Sequence, residues 1–271
     1  MDSWDQVPTL TAADIERPSP ARIYDYWLGG SNNFAADREV AERAAAAMPT
    51  LRAAIWANRA FLRRVVKHLV AEHGITQFLD LGSGVPTVGN VHEIAQGADP
   101  SSRVLYVDID PVAVAHGHSL LADNPQAAVI HADLRHPATV LEHPQLGALL
   151  DLDKPVAVLM IAVLHFIPDS EQPEQIVHAY RDAVAPGSYL ALSHAAPDLA
   201  HPDEQSEMVD DYQRSTKVPF IHRTPEQLAA WIEDGFTVEE PGIVQVNEWR
   251  PETERHQQIL RTFGLLARRD G

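Results

Sequence analysis

The chain has 271 residues, 45% of them apolar, enough to bury a full core in one large domain or two small ones. A formal net charge of −17, with no dense Lys/Arg run before Arg268 and Arg269, argues against nucleic acid as a partner, because phosphate binding relies on clustered cations. Without cysteine there are no disulfides, thiolate zinc sites or thiol nucleophiles, a composition compatible with the reducing cytoplasm, which is the expected location.

The opening MDSWDQVPTL lacks a basic stretch followed by an apolar one, and the longest apolar run, Val156 to Ile167, is shorter than the roughly 20 residues of a membrane span. Neither export nor a membrane partner is expected. Residues 1–17 are polar and acidic and read as a loose tail. Ser19-Pro20 then reads as a cap and first turn, and Gly29-Gly30 as a stop, which predicts a short helix over Ala21 to Leu28. Residues 38–47 and 51–72 carry helix formers, and Leu51, Ile55, Phe61, Leu62, Val65, Val66 and Leu69 trace one apolar face.

After Gly74 short apolar runs alternate with helical stretches: QFLDLG, RVLYVDID, AAVIHADL, PVAVLMIAVL and YLALSHA. Near-continuous apolar strands separated by helices predict an α/β fold whose parallel sheet is covered on both faces. Thr224-Pro225-Glu226-Gln227 is a capping box, and GIVQVNEW and ILRTFGLLARR read as two closing antiparallel strands. Residues 1–74 are expected to form a tail and helical arm packed on the core, and 75–271 the cofactor-binding domain, as one structural unit.

In an open α/β sheet ligands collect beyond the carboxyl ends of the strands. The first such end is Asp80-Leu81-Gly82-Ser83-Gly84, where glycine lets the backbone approach a ligand closely. Position 87, where a dinucleotide fingerprint wants glycine, is Thr87, which disfavours pyrophosphate. Asp108, followed by Ile109, ends the second strand and can accept hydrogen bonds from both ribose hydroxyls, while Asp110 suits a helix cap. Asp133 and Leu134 end the third strand, where a carboxylate, a backbone N–H and an apolar side chain can bind adenine. Asp108-Ile109-Asp110 also admits a metal-binding reading, as in sugar-nucleotide transferases. His116 with His118, and His131 with Asp133 and His136, give no convincing ligand set, so no metal is expected.

These residues resemble the class I S-adenosylmethionine-dependent methyltransferases. The segments Arg22-Ile23-Tyr24-Asp25-Tyr26-Trp27-Leu28-Gly29-Gly30, Asn33 to Asp37, Pro86-Thr87, Asn90 to Glu93 and Leu164 to Asp169 are similar to those of a bacterial S-adenosyl methyltransferase family formerly a domain of unknown function. The resemblance implies a Rossmann-like seven-stranded sheet of order 3-2-1-4-5-7-6 with the last-placed strand antiparallel. It also implies S-adenosylmethionine as cofactor, S-adenosylhomocysteine as product and an N-terminal helix lying across them. An aromatic face stabilises a sulfonium by roughly 0.5 to 2 kcal/mol. Tyr24 is therefore expected to face the ligand, Tyr26 and Trp27 to pack the arm down, and Asn33 to reach the methionine amine or carboxylate. Ile161 and Ala162 are expected to line the cofactor, and His165 and His194 are the two candidate bases. The reading is methyl transfer to a small-molecule acceptor; a cofactor-binding sensor without transfer activity is the alternative.

Overall fold

The computed structural model describes residues 8–198, 201–252 and 261–271. Residues 1–7 of the expected tail and 259–260 of the expected last strand lie outside that set. Within the remainder of the tail a Thr11–Asp14 capping box starts a helix, α1 (Ala12–Glu16). The arm follows as α2 (Pro20–Trp27), α3 (Ala35–Ala47) and the long α4 (Leu51–His73), which Gly74 ends in a left-handed turn.

Strands and helices then alternate as β1 (Gln77–Leu81), α5 (Val91–Ala98), β2 (Arg103–Asp108), α6 (Pro111–Leu121) and β3 (Ala127–His131). Two short helices, α7 (Pro137–Leu141) and α8 (Pro144–Leu149), lead to β4 (Ala157–Ile161), α9 (Pro173–Ala183) and β5 (Tyr189–Ala195). The chain closes with α10 (Pro202–Thr216), α11 (Pro225–Ile232), β6 (Phe236–Val238), β7 (Val244–Gln245) and β8 (Thr262–Arg269). Proline occupies the first turn of α2, α6, α9, α10 and α11, where its missing N–H has no helical partner to lose.

The sheet order is β3-β2-β1-β4-β5-β8-β6, with β7 paired to β8. Strands β1 to β5 are parallel, and β8 runs antiparallel to both β5 and β6. With the two-residue β7 set aside, this is the expected class I methyltransferase order. The sixth strand is displaced from its expected position: it is Phe236–Val238, and only Val244 and Gln245 of GIVQVNEW pair with β8. The rest of that run turns inward, where Val246 and Trp249 are fully buried and Trp249 packs edge-on against Phe61 of α4.

Alternate residues of one strand serve opposite faces. Leu79 and Leu81 join one apolar cluster with α9 and α11, while Phe78 joins another beneath α4. A third cluster unites Ile23 and Trp27 of α2 with Val40, Ala41 and Ala44 of α3 and with Met208, Val209 and Tyr212 of α10. The arm is thus a packed layer. Register levels the strand ends: Leu81 lies opposite Val107, Asp108 opposite His131, and Ile161 opposite Ser193, so all these strands release their chains at one edge.

Candidate active site

At that edge the chain leaves β1 through a tight turn. Gly82 and Gly84 have φ of +70° and +69°, and the N–H groups of Gly82 and Ser83 both reach the Val107 carbonyl. A Cβ on Gly82 would sit 2.3 Å from Val163 Cγ2, whereas one on Gly84 would meet nothing within 4 Å. The turn is therefore pinned on one side and open on the other.

Asp108 sits beside this open backbone. Its Oδ2 accepts from the Gly84 N–H at 2.6 Å and its Oδ1 from the Asp110 N–H at 2.8 Å. Burial pushes its carboxyl up to about 6, although those backbone donors pull the other way. Asp110 is the helix cap: its Oδ1 accepts from Val112 and Ala113 while its Oδ2 meets Arg22 and Ser19. With both oxygens engaged, Asp110 has no free donor set for the metal-binding reading. Ile109 stands 56% exposed between the two acids.

Leu134 contacts the same turn, 3.5 Å from the position of a Gly82 Cβ. Asp133 is held by Arg135, which also pairs with Glu171. Burial would raise the Asp133 carboxyl, but the Arg135 guanidinium holds it below the ordinary range. Past β4, Ala162 adopts φ +53°, fixed by its N–H to the Ser193 carbonyl and hydroxyl. Ile161, Ala162 and Val163 are all partly exposed. Gly82, Ser83, Gly84, Asp108, Ile109, Asp133, Leu134, Ile161 and Ala162 thus lie along one edge.

The arm crosses this edge and is bolted to it. Arg22, fully buried, pairs with Asp37 of α3 at 2.9 Å and with Asp110 at 3.0 Å. Asp25, 1% exposed, accepts from Thr87 Oγ1 at 2.9 Å, from the Asn32 N–H at 2.9 Å and from Asn33 Nδ2 at 2.8 Å. Gly30 is required because any Cβ there would collide with the Asp25 carboxylate. Asn33 spends both ends of its amide inside the arm, donating to Asp25 and Gly30 and accepting from Arg38, so it braces Asp25 and does not itself extend to the glycine turn. Trp27 donates to the Ala41 carbonyl and Tyr26 to Glu42, both on α3, so these two rings fasten α2 to α3 within the arm. The Tyr24 hydroxyl accepts from Asn58, whose Oδ1 accepts from Ser193. This chain of bonds joins α2 through α4 to the ends of β4 and β5.

Two residues escaped the sequence reading. Asp80, buried in β1, accepts no hydrogen bond from the described residues, and burial pushes its carboxyl up to about 7, with Arg59 opposing and Asp108 adding to the rise. It lines a cavity of about 20 Å³ with Arg59, Ser83 and Gly84, room for one water. Asp80 stands two residues before the Gly-x-Gly turn, between Leu79 and Leu81 of β1. Arg223, 2% exposed, donates to the carbonyls of Leu164 and Ile167 and to Asp169, so it shapes the whole Leu164–Asp169 segment. Nothing local in the sequence marks it.

The two histidines differ. His165 is caged by Phe166 and Phe220, its Nδ1 has no partner among the described residues, and burial holds it well below the ordinary histidine value, hence neutral. His194 contacts the Ala195 carbonyl through Nδ1 and accepts from Arg223 through Nε2, and burial lowers it to about 4. Both of its ring nitrogens are therefore engaged, one of them by Arg223.

Residues 8–270 match the family described as S-adenosyl methyltransferase. Two crystal structures are similar over nearly their whole length. One is a "putative methyltransferase" from Thermobifida fusca, at 38% identity and TM-score 0.89 over 95% of this chain and 97% of that one. The other is a DUF574 family protein from Streptomyces avermitilis, at 38% identity and TM-score 0.89 over 94% and 99%. Human N-acetylserotonin methyltransferase in complex with SAM shares the fold alone, at 15% identity and TM-score 0.51 over 94% of this chain and 64% of that one. Among curated proteins no match is found.

Proposed function

This chain belongs to the S-adenosyl methyltransferase family, and from that premise we propose that it methylates a small-molecule acceptor, with the cofactor's adenosine spread across the ends of β1, β2 and β3. The residues present fit such a ligand. Gly84 offers open backbone, Asp108 a carboxylate beside it, and Asp80 a buried carboxylate with no hydrogen-bond donor among the described residues. The observation that carries the reading is the 2.6 Å clamp between the Gly84 N–H and Asp108, which fixes an acid and a bare turn side by side.

In this reading Asp108 accepts from the ribose hydroxyls, and Asp133 and the Leu134 N–H take the adenine edge while Ile109 and Leu134 pack on its faces. Asp80 and Arg59, opposite charges beside the glycine turn, suit the ammonium and carboxylate of the methionyl part. Tyr24 presents a ring from above, and the Asp25–Thr87 bond keeps the arm over the turn. When bound, S-adenosylmethionine supplies a methyl group activated by a cationic sulfur, open to in-line attack by an acceptor's lone pair. Alignment in a water-poor site contributes about 7 to 11 kcal/mol.

His165 keeps an unused nitrogen, Nδ1, and is the candidate base for an acceptor that must lose a proton; its burial behind Phe166 and Phe220 lowers its basicity, so it would serve only an acceptor that enters that ring cage. His194 positions it through Arg223, which fixes the Leu164 and Ile167 carbonyls on either side of His165. Phe166, Tyr212 and Phe220 wall that side of the site, which favours a small acceptor over a polymer. The cysteine-free composition supports a cytoplasmic setting. Labelled S-adenosylmethionine incubated with dialysable and non-dialysable fractions of a cell extract tests the acceptor class. Label should pass into dialysable products; label retained on protein or nucleic acid would overturn the small-molecule reading.

A further inference from the structure

At the opposite end of the sheet three side chains from distant parts of the chain converge. His68 and His73 come from the last turns of α4, and Glu239 directly follows β6. His68 Nε2 lies 3.1 Å from Glu239 Oε2, His73 Nε2 lies 2.8 Å from Glu239 Oε1, and the two Nε2 atoms are 3.2 Å apart. All three residues are partly buried.

Protons alone leave this triangle incompletely bonded. It has three short edges, each needing one hydrogen, yet two neutral imidazoles bring at most one hydrogen each at these nitrogens and an ionised carboxylate brings none. One edge must therefore set lone pair against lone pair, or hydrogen against hydrogen. A single cation at the centre satisfies all three lone pairs together.

The dimensions agree. Ligands at about 2.0 to 2.1 Å from a tetrahedral zinc ion are about 3.3 Å from one another; here the two Nε2 atoms are 3.2 Å apart, and each meets its own oxygen of the Glu239 carboxylate, His68 at 3.1 Å and His73 at 2.8 Å. The Tyr189 hydroxyl stands 2.8 Å from His73 Nδ1, so that nitrogen has an oxygen to hold its proton while Nε2 points to the centre. Two imidazoles and one carboxylate suit zinc, whereas magnesium and calcium favour all-oxygen sets. His73 and Glu239 also line an open groove beside Tyr189, which gives an ion its entry path and a water the fourth position. Arg250, 3.6 Å from Glu239 Oε2, shares that oxygen with His68 and leaves Oε1 to His73.

We propose that His68, His73 and Glu239 form a zinc site that staples the end of α4 to the turn after β6. This reverses the sequence expectation of no metal, which weighed only histidines close in sequence; His68 and Glu239 are 171 residues apart. Arg59, at the cofactor edge, lies on α4 about 20 Å from His73, so the ion would act on stability and not on methyl transfer.

Calorimetry of chelator-stripped, tag-free protein with zinc chloride tests the proposal, with magnesium and calcium chloride as parallel titrations. Zinc should bind at one ion per chain with micromolar or tighter affinity, and at a hundredfold excess over Kd should raise Tm by about 5 to 10 °C. Magnesium and calcium should do neither. Glu239→Gln and His73→Ala should lose this step. Tyr189→Phe, which keeps every ligand, should weaken it about tenfold and provides the comparison if the other two do not fold. Absence of a one-to-one zinc step in wild type, or an equal step in Glu239→Gln or Tyr189→Phe, would overturn the proposal. S-adenosylhomocysteine binding by the same samples reports on the far edge independently.

Discussion

Alanine at position 82 and alanine at position 84 should separate what the glycine turn does for the fold from what it does for the ligand. Both glycines have φ near +70°, so either substitution costs about 1 to 2 kcal/mol in backbone conformation. At position 82 the new methyl would also lie 2.3 Å from Val163 Cγ2 and 2.9 Å from Val163 Cβ, adding about 1 to 3 kcal/mol of overpacking. For a chain of this size each kcal/mol shifts Tm by about 2 to 4 °C, so Gly82→Ala should melt roughly 4 to 20 °C lower and Gly84→Ala roughly 2 to 8 °C lower. The order should reverse for the ligand in relation to stability. The Gly84 methyl meets no protein atom within 4 Å and would project into space assigned to the cofactor, so S-adenosylhomocysteine affinity should fall about tenfold or more with the fold nearly intact. Differential scanning calorimetry and isothermal titration read the two effects. Equal melting losses, or wild-type affinity in Gly84→Ala, would refute the reasoning.

Arg22→Met should leave the fully buried Asp37 without its ion pair and cost about 3 to 5 kcal/mol, measured as a drop in the urea midpoint; a change below about 1 kcal/mol would show that the bolt carries no stability. Asp80 and Asp108, raised to about 7 and about 6, bind more protons folded than unfolded between the ordinary carboxylate value and these values. Their contribution to apo stability therefore falls as pH rises through that window, while a ligand bringing an ammonium and hydroxyl donors favours the ionised forms. S-adenosylhomocysteine should bind roughly tenfold or more weakly at about pH 5.5 than at about pH 7.5, with proton release seen in buffers of different ionisation enthalpy. A flat profile would remove Asp80 from the site. Asn58→Ala should break the relay from Tyr24 to Ser193 and cost about 1 to 3 kcal/mol by thermal melting, with weaker S-adenosylhomocysteine binding by titration; unchanged values for both would count against the relay.

The features legible in the sequence are those that a short stretch determines by itself. Gly82 and Gly84 announce a backbone needing left-handed φ, Asp110-Pro111 and Thr224-Pro225 announce helix starts, and strands buried on both faces announce a parallel sheet. The sixth strand was misplaced because β6 is three residues long, while the more strand-like GIVQVNEW bends to bury Trp249. Roles set by distant partners were not legible. Asp25 meets Thr87 across 62 positions, and Arg223 reaches His194 and Asp169, which occupies a ring nitrogen of one of the two candidate bases. The raised carboxyl of Asp80 arises from the burial that the assembled sheet imposes.

The central claim is that one adenosine spans the ends of three strands with Asp108 as its ribose acid. Titrating S-adenosylhomocysteine into wild type and Asp108→Ala tests it most directly. Saturable binding by wild type, weakened about tenfold to a hundredfold in the variant, is expected from the loss of charge-assisted hydrogen bonds. No saturable binding by wild type, or equal binding by both proteins, would contradict it.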